Sequence, residues 1–402
     1  MDIPKHAVNS LPAGQGGAQV ATTPESLQAA LIDVHRQLHD QVVRAVLDAV
    51  PEQAFAAAIS VLVQFAAARP HSAQLLMGEA MGGGPALQQL RAEGIAEIVE
   101  MVERAYRFAP ERTLAPDLPT AGVIGGVYRL LDSMLHGEEP LRVQLSDELR
   151  KWLESYTRPL AEHRWRSVQP LPPTLVLPIS AAIQPSAPGP GSANPESGSE
   201  DALEAIERQR ILLAAAEVTA QGYDAASVAA ICAAAGIDEP AFYRHFDDKR
   251  AAFRAVHELH YRQVMQGAAG AFFSGGSWPE RVWLAGAAFA AYMQANPALL
   301  RATLVEGYAG GAPTQQRGED IVAAFTIFLQ EGYQHLDDRE RPSRLALVAI
   351  GATIFEIGYD GARVSPEPEI AGLLPHGAYM CLAPFLGPDA ADEFIDARLG
   401  IG

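Results

Sequence analysis

The most informative segment of this chain reads Ser227-Val-Ala-Ala-Ile-Cys-Ala-Ala-Ala-Gly-Ile-Asp-Glu-Pro-Ala-Phe-Tyr-Arg-His-Phe246. Ser227 is a good N-cap for a short helix over residues 228–235, and Gly236 follows it where a tight turn needs a positive φ. Asp238 can cap a second helix over residues 239–246. A helix, a glycine turn and a second helix form a helix-turn-helix, whose second helix fits the DNA major groove, roughly 12 Å wide.

Helices are also predicted on both sides of this motif. Residues 206–220 form one of them, closed by Gly222 as a left-handed cap. Its apolar face consists of Ile211, Leu212, Ala215, Val218 and Thr219. After the motif, the pair Asp247-Asp248 can cap a long helix. We expect Phe242 and Phe246 to pack the second motif helix onto the first of these helices.

Several of these residues are typical of one protein family. They are Gly222-Tyr-Asp224, Ser227-Val-Ala-Ala-Ile231, Ala235-Gly-Ile237, Phe242-Tyr-Arg-His-Phe246 and Lys249. Together they resemble the DNA-binding region of the TetR family of bacterial transcriptional regulators. The other helices are similar to the family's variable regulatory domain in pattern only. The resemblance implies a ligand-responsive regulator of transcription, more often a repressor, whose partners are an operator in double-stranded DNA and a small-molecule effector.

The resemblance also implies which residues contact DNA. The second motif helix, called the reading helix, begins with Glu239, Pro240 and Ala241, at positions where family members reach base edges. Tyr243 and His245 occupy positions that usually touch phosphates. The full predicted DNA-binding set is Ser227, Glu239, Pro240, Ala241, Tyr243, Arg244, His245 and Lys249. The alternative is that Tyr243 is a partly buried aromatic residue and His245 a solvated one, neither with a role in DNA binding.

The charge of this region departs from the family's pattern. Residues 201–260 hold 6 Lys+Arg against 10 Asp+Glu, and the whole chain has a net charge of −18. Any DNA contact must therefore come from a local basic surface. Glu239 could accept a hydrogen bond from a cytosine amine, or Asp238 and Glu239 could only stabilise the start of the helix. The alternative function is a TetR-derived interaction or ligand-sequestering protein that has lost DNA binding.

The length of 402 residues predicts two or three domains, and apolar residues at every third or fourth position predict an all-α chain. Eight prolines and a Gly/Ser-rich tail in residues 167–200 mark a linker. Its first part, residues 171–179, could lie extended in a groove or be free. The predicted units are a disordered lead (1–24), a regulatory-like helical domain without its own helix-turn-helix (25–166), the linker (167–202), the helix-turn-helix domain (203–250), a regulatory domain (251–392) and a tail (393–402).

An internal repeat relates the two regulatory-like segments. Phe65-Ala-Ala-Ala-Arg-Pro70 returns as Tyr292-Met-Gln-Ala-Asn-Pro297. The matches that follow are Glu79 with Glu306, Gly83-Gly84 with Gly310-Gly311, Gln88-Gln89 with Gln315-Gln316, Arg91 with Arg317 and Tyr106 with Tyr333. Each copy predicts a helix that ends before a proline, a second helix broken at the diglycine and a third helix after it. The alternative is a coincidence between two Ala-rich helical stretches.

The repeat and the resemblance together predict a pairing within the chain. TetR family members dimerise through the last two helices of the regulatory domain. We therefore expect the two regulatory-like domains to pair as a pseudo-dimer, which leaves one reading head per chain. Two heads on an operator would require a homodimer formed through another surface.

Aromatic residues of the second half are candidates for an enclosed effector site. The predicted set is Trp283, Phe289, Tyr292, Phe325, Phe328 and Tyr359, with ordinary core packing as the alternative for each. The pairs His35/His39 and His257/His260 could each present two imidazoles to a metal, but no third ligand is evident, so we expect solvated side chains and no metal. Cys232 and Cys381 are too far apart in sequence for a metal knuckle or a disulfide framework, which fits a reducing compartment, with the cytoplasm as the default.

No motif for catalysis, no cofactor site and no membrane span is predicted. The sequence has no nucleophile elbow, phosphate loop or HExxH pattern, so we do not expect an enzyme. The longest apolar run, residues 54–68, is too short for a bilayer of roughly 30 Å. The first 19 residues have no apolar core segment of the kind that signal sequences carry.

Overall fold

The computed structural model describes residues 24–110, 114–137, 144–159, 197–336, 341–366 and 369–401. These residues are overwhelmingly helical, which confirms the predicted all-α class. The N-terminal part of the described chain contains α1 (Pro24–Asp48), α2 (Ala54–Ala68), α3 (Pro70–Gln74), α4 (Ala80–Gly82), α5 (Pro85–Arg107), α6 (Thr120–Leu135) and α7 (Leu145–Glu154). A 3-10 turn at Pro51–Gln53 precedes α2, and a π-helical turn at Leu75–Glu79 joins α3 to α4.

The C-terminal part holds ten further helices among the described residues. They are α8 (Ser197–Thr219), α9 (Val228–Ala235), α10 (Glu239–His245), α11 (Lys249–Phe272), α12 (Trp278–Ala295), α13 (Pro297–Leu300), α14 (Ala312–Leu329), α15 (Arg344–Val364), α16 (Leu374–Leu386) and α17 (Pro388–Leu399). A π-helical turn follows α13 at Arg301–Val305, and 3-10 turns lie at Glu306–Tyr308, Gln330–Gln334 and Ala371–Leu373.

Two short strands were not expected from the sequence. β1 (Leu114–Pro116) and β2 (Thr157–Pro159) pair antiparallel, with Ala115 opposite Arg158. Each strand has three residues and contains a proline, so neither shows the alternation of apolar and polar residues that predicts a strand. The pairing forms only when the end of α7 returns to the loop before α6.

Two of the predicted unit boundaries also differ from the helices. α8 begins at Ser197, inside the predicted linker of residues 167–202. Once a helix is nucleated, each added residue gains a hydrogen bond, so α8 extends back into sequence that would not start a helix alone. α17 runs to Leu399 through most of the predicted tail, because Ile395 is buried and the left-handed Gly400 ends the helix only there. The lead before Pro24 and residues 160–196 of the linker region lie outside the described residues.

The two segments matched by the proposed repeat have the same order of elements. α3 begins at Pro70 and α13 at Pro297, and each runs directly into a π-helical turn. Gly84 and Gly311 precede α5 and α14 with φ of 83° and 86° and an extended ψ. This backbone region is open almost only to glycine, which gives the second glycine of each pair a physical role. The geometry agrees with the repeat, whose status as a true duplication stays a prediction.

Helices α6 and α15 run along each other and join the two parts of the chain. They approach closely because α6 carries glycines on the contact face. A Cβ atom at Gly126 would lie 2.7 Å from the backbone nitrogen of Thr353, and one at Gly122 would lie 2.5 Å from Ile357. Any larger residue at Gly126 would therefore force the two backbones apart.

Polar contacts accompany this apolar packing between the two parts. Arg91 on α5 pairs with Glu356 on α15 at 2.5 Å, and both side chains are buried, with 2% and 5% exposed. Arg129 on α6 pairs with Glu319 at 2.8 Å. The Tyr156 hydroxyl, after α7, donates to the backbone carbonyl of Met380 on α16 at 2.7 Å. The contacts thus involve helices α5 to α7 of one part and α14 to α16 of the other.

Among the described residues, two helical segments are long and apolar enough, by length and composition, to cross a membrane. They are Pro51–Ala68 and Arg344–Val364, of which 50% and 61% lie buried inside the protein. The second contains α15, which packs along α6 on one side. Core helices of a helical bundle have this composition because they are surrounded by other helices.

Candidate nucleic-acid interface

Local capping builds the helix-turn-helix as the sequence predicts. The Ser227 hydroxyl accepts from the backbone amide of Ala230 and caps α9, while Asp238 accepts from the amide of Ala241 and caps α10. Gly236 takes the left-handed conformation between them, with φ of 65°. Asp248, the second residue of the predicted capping pair, accepts from the amide of Ala251 and caps α11. Three side-chain caps and one glycine therefore fix the relative positions of α9, α10 and α11.

The reading helix α10 is anchored by its aromatic residues. Phe242 is fully buried and Phe246 is nearly so, as predicted, and their ring centroids lie 5.7 Å apart. α10 packs mainly against α9. Its opposite side is open to solvent, and the N-terminal part, as far as the structure describes it, leaves that side uncovered.

The exposed side of α10 carries four of the predicted DNA-binding residues. Glu239 and Pro240 are exposed at its start, Tyr243 is 53% exposed, and the Arg244 side chain is 61% exposed. Ala241 is different: it is buried, with 5% exposed, and cannot present its side chain to a base edge. The prediction for Ala241 is corrected because its side chain lies on the buried side of α10, together with Phe242.

His245 is buried by a neighbour that the sequence did not reveal. Its side chain is only 3% exposed, and its Nε2 lies 2.9 Å from Oε1 of Glu207 on α8. The same carboxylate oxygen accepts from Arg244 at 2.8 Å. These two hydrogen bonds lower the pKa of Glu207, so it stays ionised. His245 is thus neither free for a phosphate nor solvated, and Glu207 neutralises part of the reading helix's positive charge.

Lys249 also makes internal contacts. Its ammonium donates to the backbone carbonyls of Tyr223 and Ala226 at 3.0 and 2.9 Å, and it lies 4.6 Å from the centre of the Tyr223 ring. In this position it holds the turn between α8 and α9 against α11. Arg250 and Arg254, which were not among the predicted residues, are exposed in the first turns of α11. The sequence could have indicated both arginines as exposed residues, because exposed helix positions recur every three to four residues.

The helix-turn-helix domain, α8 to α10, is called the head. Besides its packing on α11, two side chains, Arg301 and Glu306, bond it to the rest of the C-terminal part. Arg301, in the second π-helical turn, donates from Nε to the carbonyl of Ala220 at the end of α8 and from Nη1 to that of Ala362 near the end of α15, at 2.8 and 2.7 Å. Glu306 accepts from the backbone amide of Tyr223 at 3.0 Å. Arg301 therefore connects α8 directly to α15.

The N-terminal part has a related contact, although its described residues contain no helix-turn-helix. Gln74, just before the first π-helical turn, donates to the carbonyl of Leu135 at the end of α6 at 3.4 Å. Position 74 corresponds to 301 and position 135 to 362 under the spacing of the matched prolines. The glutamine makes one such contact, whereas the longer, forked arginine reaches both α15 and the head.

An apolar cavity of about 90 Å³ lies between α12, α14, α15 and α16. Three of the predicted effector residues line it: Phe289, Phe325 and Phe328. The rings of Phe289 and Phe325 meet edge to face with centroids 5.2 Å apart. The structure therefore brings the phenylalanines of α12 and α14 together at one cavity, and their binding of an effector stays a prediction.

The structure does not bring the other three predicted effector residues to this cavity. Trp283 faces away from the cavity toward α17, with its ring 6.4 Å from that of Phe394. Tyr292 donates from its hydroxyl to Gln263 on α11 at 2.8 Å. Tyr359 lies on the opposite side of α15, 5.8 Å from the Arg91 guanidinium. All three are buried, but composition alone does not say which side of a helix meets the cavity.

The second histidine pair is buried, contrary to the expectation of solvated side chains. Burial lowers the pKa of His257 to about 3 and that of His260 to about 4, so both are uncharged at neutral pH. His257 packs against Phe253, and His260 against Tyr292. Within the described ranges, no group of three or more His, Cys, Asp or Glu residues could hold a metal ion.

The helix-turn-helix also matches a known family. Residues 211–256 match the family model described as bacterial regulatory proteins, tetR family. The match begins in α8, covers α9 and α10 and ends in α11. No curated protein matches the chain. The chain therefore carries a TetR-type helix-turn-helix, the DNA-binding domain of transcriptional regulators of that family.

Proposed function

We propose that this protein is a ligand-responsive regulator of transcription, a repressor in the cytoplasm that reads an operator with α10. The observation that carries the proposal is the exposed outer side of α10 on a head whose sequence matches a DNA-binding family. Tyr243 and Arg244 would meet the DNA, and Arg250 and Arg254 would add local positive charge for phosphates. Glu239 would read a cytosine amine.

We further propose that the two regulatory-like parts act as a pseudo-dimer. The close packing of α6 on α15, the buried pair Arg91 and Glu356, and the bond from Tyr156 to α16 support this pairing. The pairing uses the helices near the end of each part, as dimers of the family do. One head per chain follows, so binding to a two-fold operator would need two chains joined through another surface.

The test of DNA binding is a mobility-shift titration of the full chain on the DNA upstream of its own gene. A specific complex whose affinity falls steeply with salt supports the proposal, because each phosphate contact releases counterions. The variant Tyr243→Ala with Arg244→Ala should weaken this complex at least about tenfold, which corresponds to roughly 1.4 kcal/mol. A complex that is insensitive to both salt and these substitutions would contradict it.

A second candidate function is favoured by the contacts of Glu207. Because this carboxylate holds Arg244 and His245, the reading helix has lost part of the charge that DNA binding uses. A protein that sequesters the effector or binds another protein, without DNA, would tolerate this loss. It predicts no specific complex in the same titration while the effector still binds.

Replacing Glu207 by glutamine is expected to tighten DNA binding about fivefold. The change removes a negative charge next to the reading helix and frees Arg244 for a phosphate. The measurement is the dissociation constant at several salt concentrations, with a slope steeper by about one unit. Glu204→Gln is the matched control, since Glu204 is exposed on the same helix. Equal tightening by both variants would show that net charge alone is responsible.

A further inference from the structure

The cavity between α12, α14, α15 and α16 is lined almost entirely by apolar side chains. It is lined by phenylalanines, aliphatic side chains, alanines and glycines, together with the methionine Met380 and the cysteine Cys381. No charged, amide or hydroxyl side chain of the described residues lines it. Most of the lining lies within helices, whose backbone amides and carbonyls are already paired.

The one weakly polar side chain in the wall does not change this character. Burial raises the pKa of the Cys381 thiol to about 12, so the sulfur carries no charge at neutral pH. A buried, protonated thiol behaves as a small apolar group with a weak donor. The cavity therefore provides dispersion contacts and no partner for an ion.

We infer that this cavity binds an uncharged, hydrocarbon-like molecule, aromatic or aliphatic, and excludes carboxylates and amines. A charged group would lose its water without gaining a partner, which is prohibitive in an apolar site, whereas an apolar molecule gains contacts in a space that water does not fill well. The rings of Phe289 and Phe325 pack edge to face, and a ligand's aromatic ring or aliphatic chain can pack against them.

The cavity is also connected to the head through α15. Ile350, Ile354 and Ile357 of this helix line the cavity, and its end is held by Arg301, which also holds α8. The inferred chemical class of the ligand can be tested by binding alone. Any effect of the ligand on DNA binding rests on the proposed function. The experiment therefore measures binding in the absence of DNA.

The test compares three probes that share one ring: toluene, benzoate and benzylamine. Calorimetry and the melting temperature of the full chain measure their binding. Toluene should bind at least about 100-fold more tightly than either ion and should alone raise the melting temperature. Equal affinity for benzoate or benzylamine overturns the inference, and so does the failure of toluene to bind.

A variant and its matched control locate the binding. Gly377 lines the cavity within α16, and a Cβ atom added there meets nothing within 4 Å. Gly377→Leu should fill the cavity and abolish toluene binding without lowering the melting temperature, because leucine favours helix more than glycine does. Gly270→Leu, on α11 and equally free of clashes, should leave binding unchanged. Unchanged binding in Gly377→Leu would overturn the assignment to this cavity, whereas toluene binding without any DNA complex would contradict only the proposed function.

Discussion

Replacing Glu356 by alanine is expected to destabilise the folded chain by about 3–5 kcal/mol. Glu356 is the partner of Arg91, whose guanidinium is buried between α5, α6 and α15 with the rings of Tyr128 and Tyr359 beside it. The carboxylate raises the pKa of Arg91 although burial opposes its charge. Without Glu356, a permanent positive charge would stay in an apolar contact with no counterion, at the surface that joins the two parts.

The measurement is the free energy of unfolding from urea titration of the full chain. The matched control is Glu154→Ala, which removes the partner of Arg150 in an ion pair whose side chains are 41% and 55% exposed. That exposed pair should contribute no more than about 1 kcal/mol. If the two variants lost the same stability, the buried pair would not hold the parts together.

Removing both charges of the buried pair distinguishes the contribution of charge to stability from that of packing. The double variant Arg91→Met with Glu356→Met should recover most of the loss, because an apolar replacement of a buried pair leaves no unpaired ion. A double variant as unstable as Glu356→Ala would show instead that the shape of this contact matters more than its charge.

Replacing Arg301 by glutamine is expected to weaken the attachment of the head by about 1.5–3 kcal/mol. Glutamine is the residue at the related position 74, where it bonds only to the end of the neighbouring helix. The shorter side chain would keep the contact with Ala362 but not reach Ala220, so the end of α8 would lose a charge-assisted hydrogen bond.

Hydrogen exchange of the backbone amides at the end of α8 measures this loss. Exchange there should become at least about tenfold faster in the Arg301→Gln variant, while amides of α1 and α2 stay unchanged. Gln74→Ala is the control at the related position and should leave α8 unaffected. Unchanged exchange in α8 would mean that Glu306 and the apolar packing hold the head without Arg301.

If the protein regulates transcription as proposed, the same variant has a second effect. An apolar ligand in the cavity acts on α15, and Arg301 is the side chain that bonds both α15 and α8. In Arg301→Gln, toluene should still bind but should change DNA affinity less than in the unaltered chain. This readout separates ligand binding from its transmission to the head.

The helix-turn-helix could be read almost completely from the sequence. Ser227, Asp238 and Asp248 cap their helices through bonds to residues three positions away, and Gly236 takes the left-handed turn. Such contacts lie within one turn of chain, so the local order of residues is sufficient to predict them. The buried positions of Phe242 and Phe246 followed from the same helical spacing.

The contacts of the reading helix could not be predicted in this way. Glu207 meets Arg244 and His245 across 37 and 38 positions, and Arg301 meets Ala220 across 81. The sequence also did not predict which aromatic residues line the cavity: Phe289 lines it, whereas Tyr359 lies beside Arg91. Caps and turns depend on neighbours along the chain, but the partner of an outward-pointing side chain depends on which helix packs over it, and that is settled only when distant segments assemble.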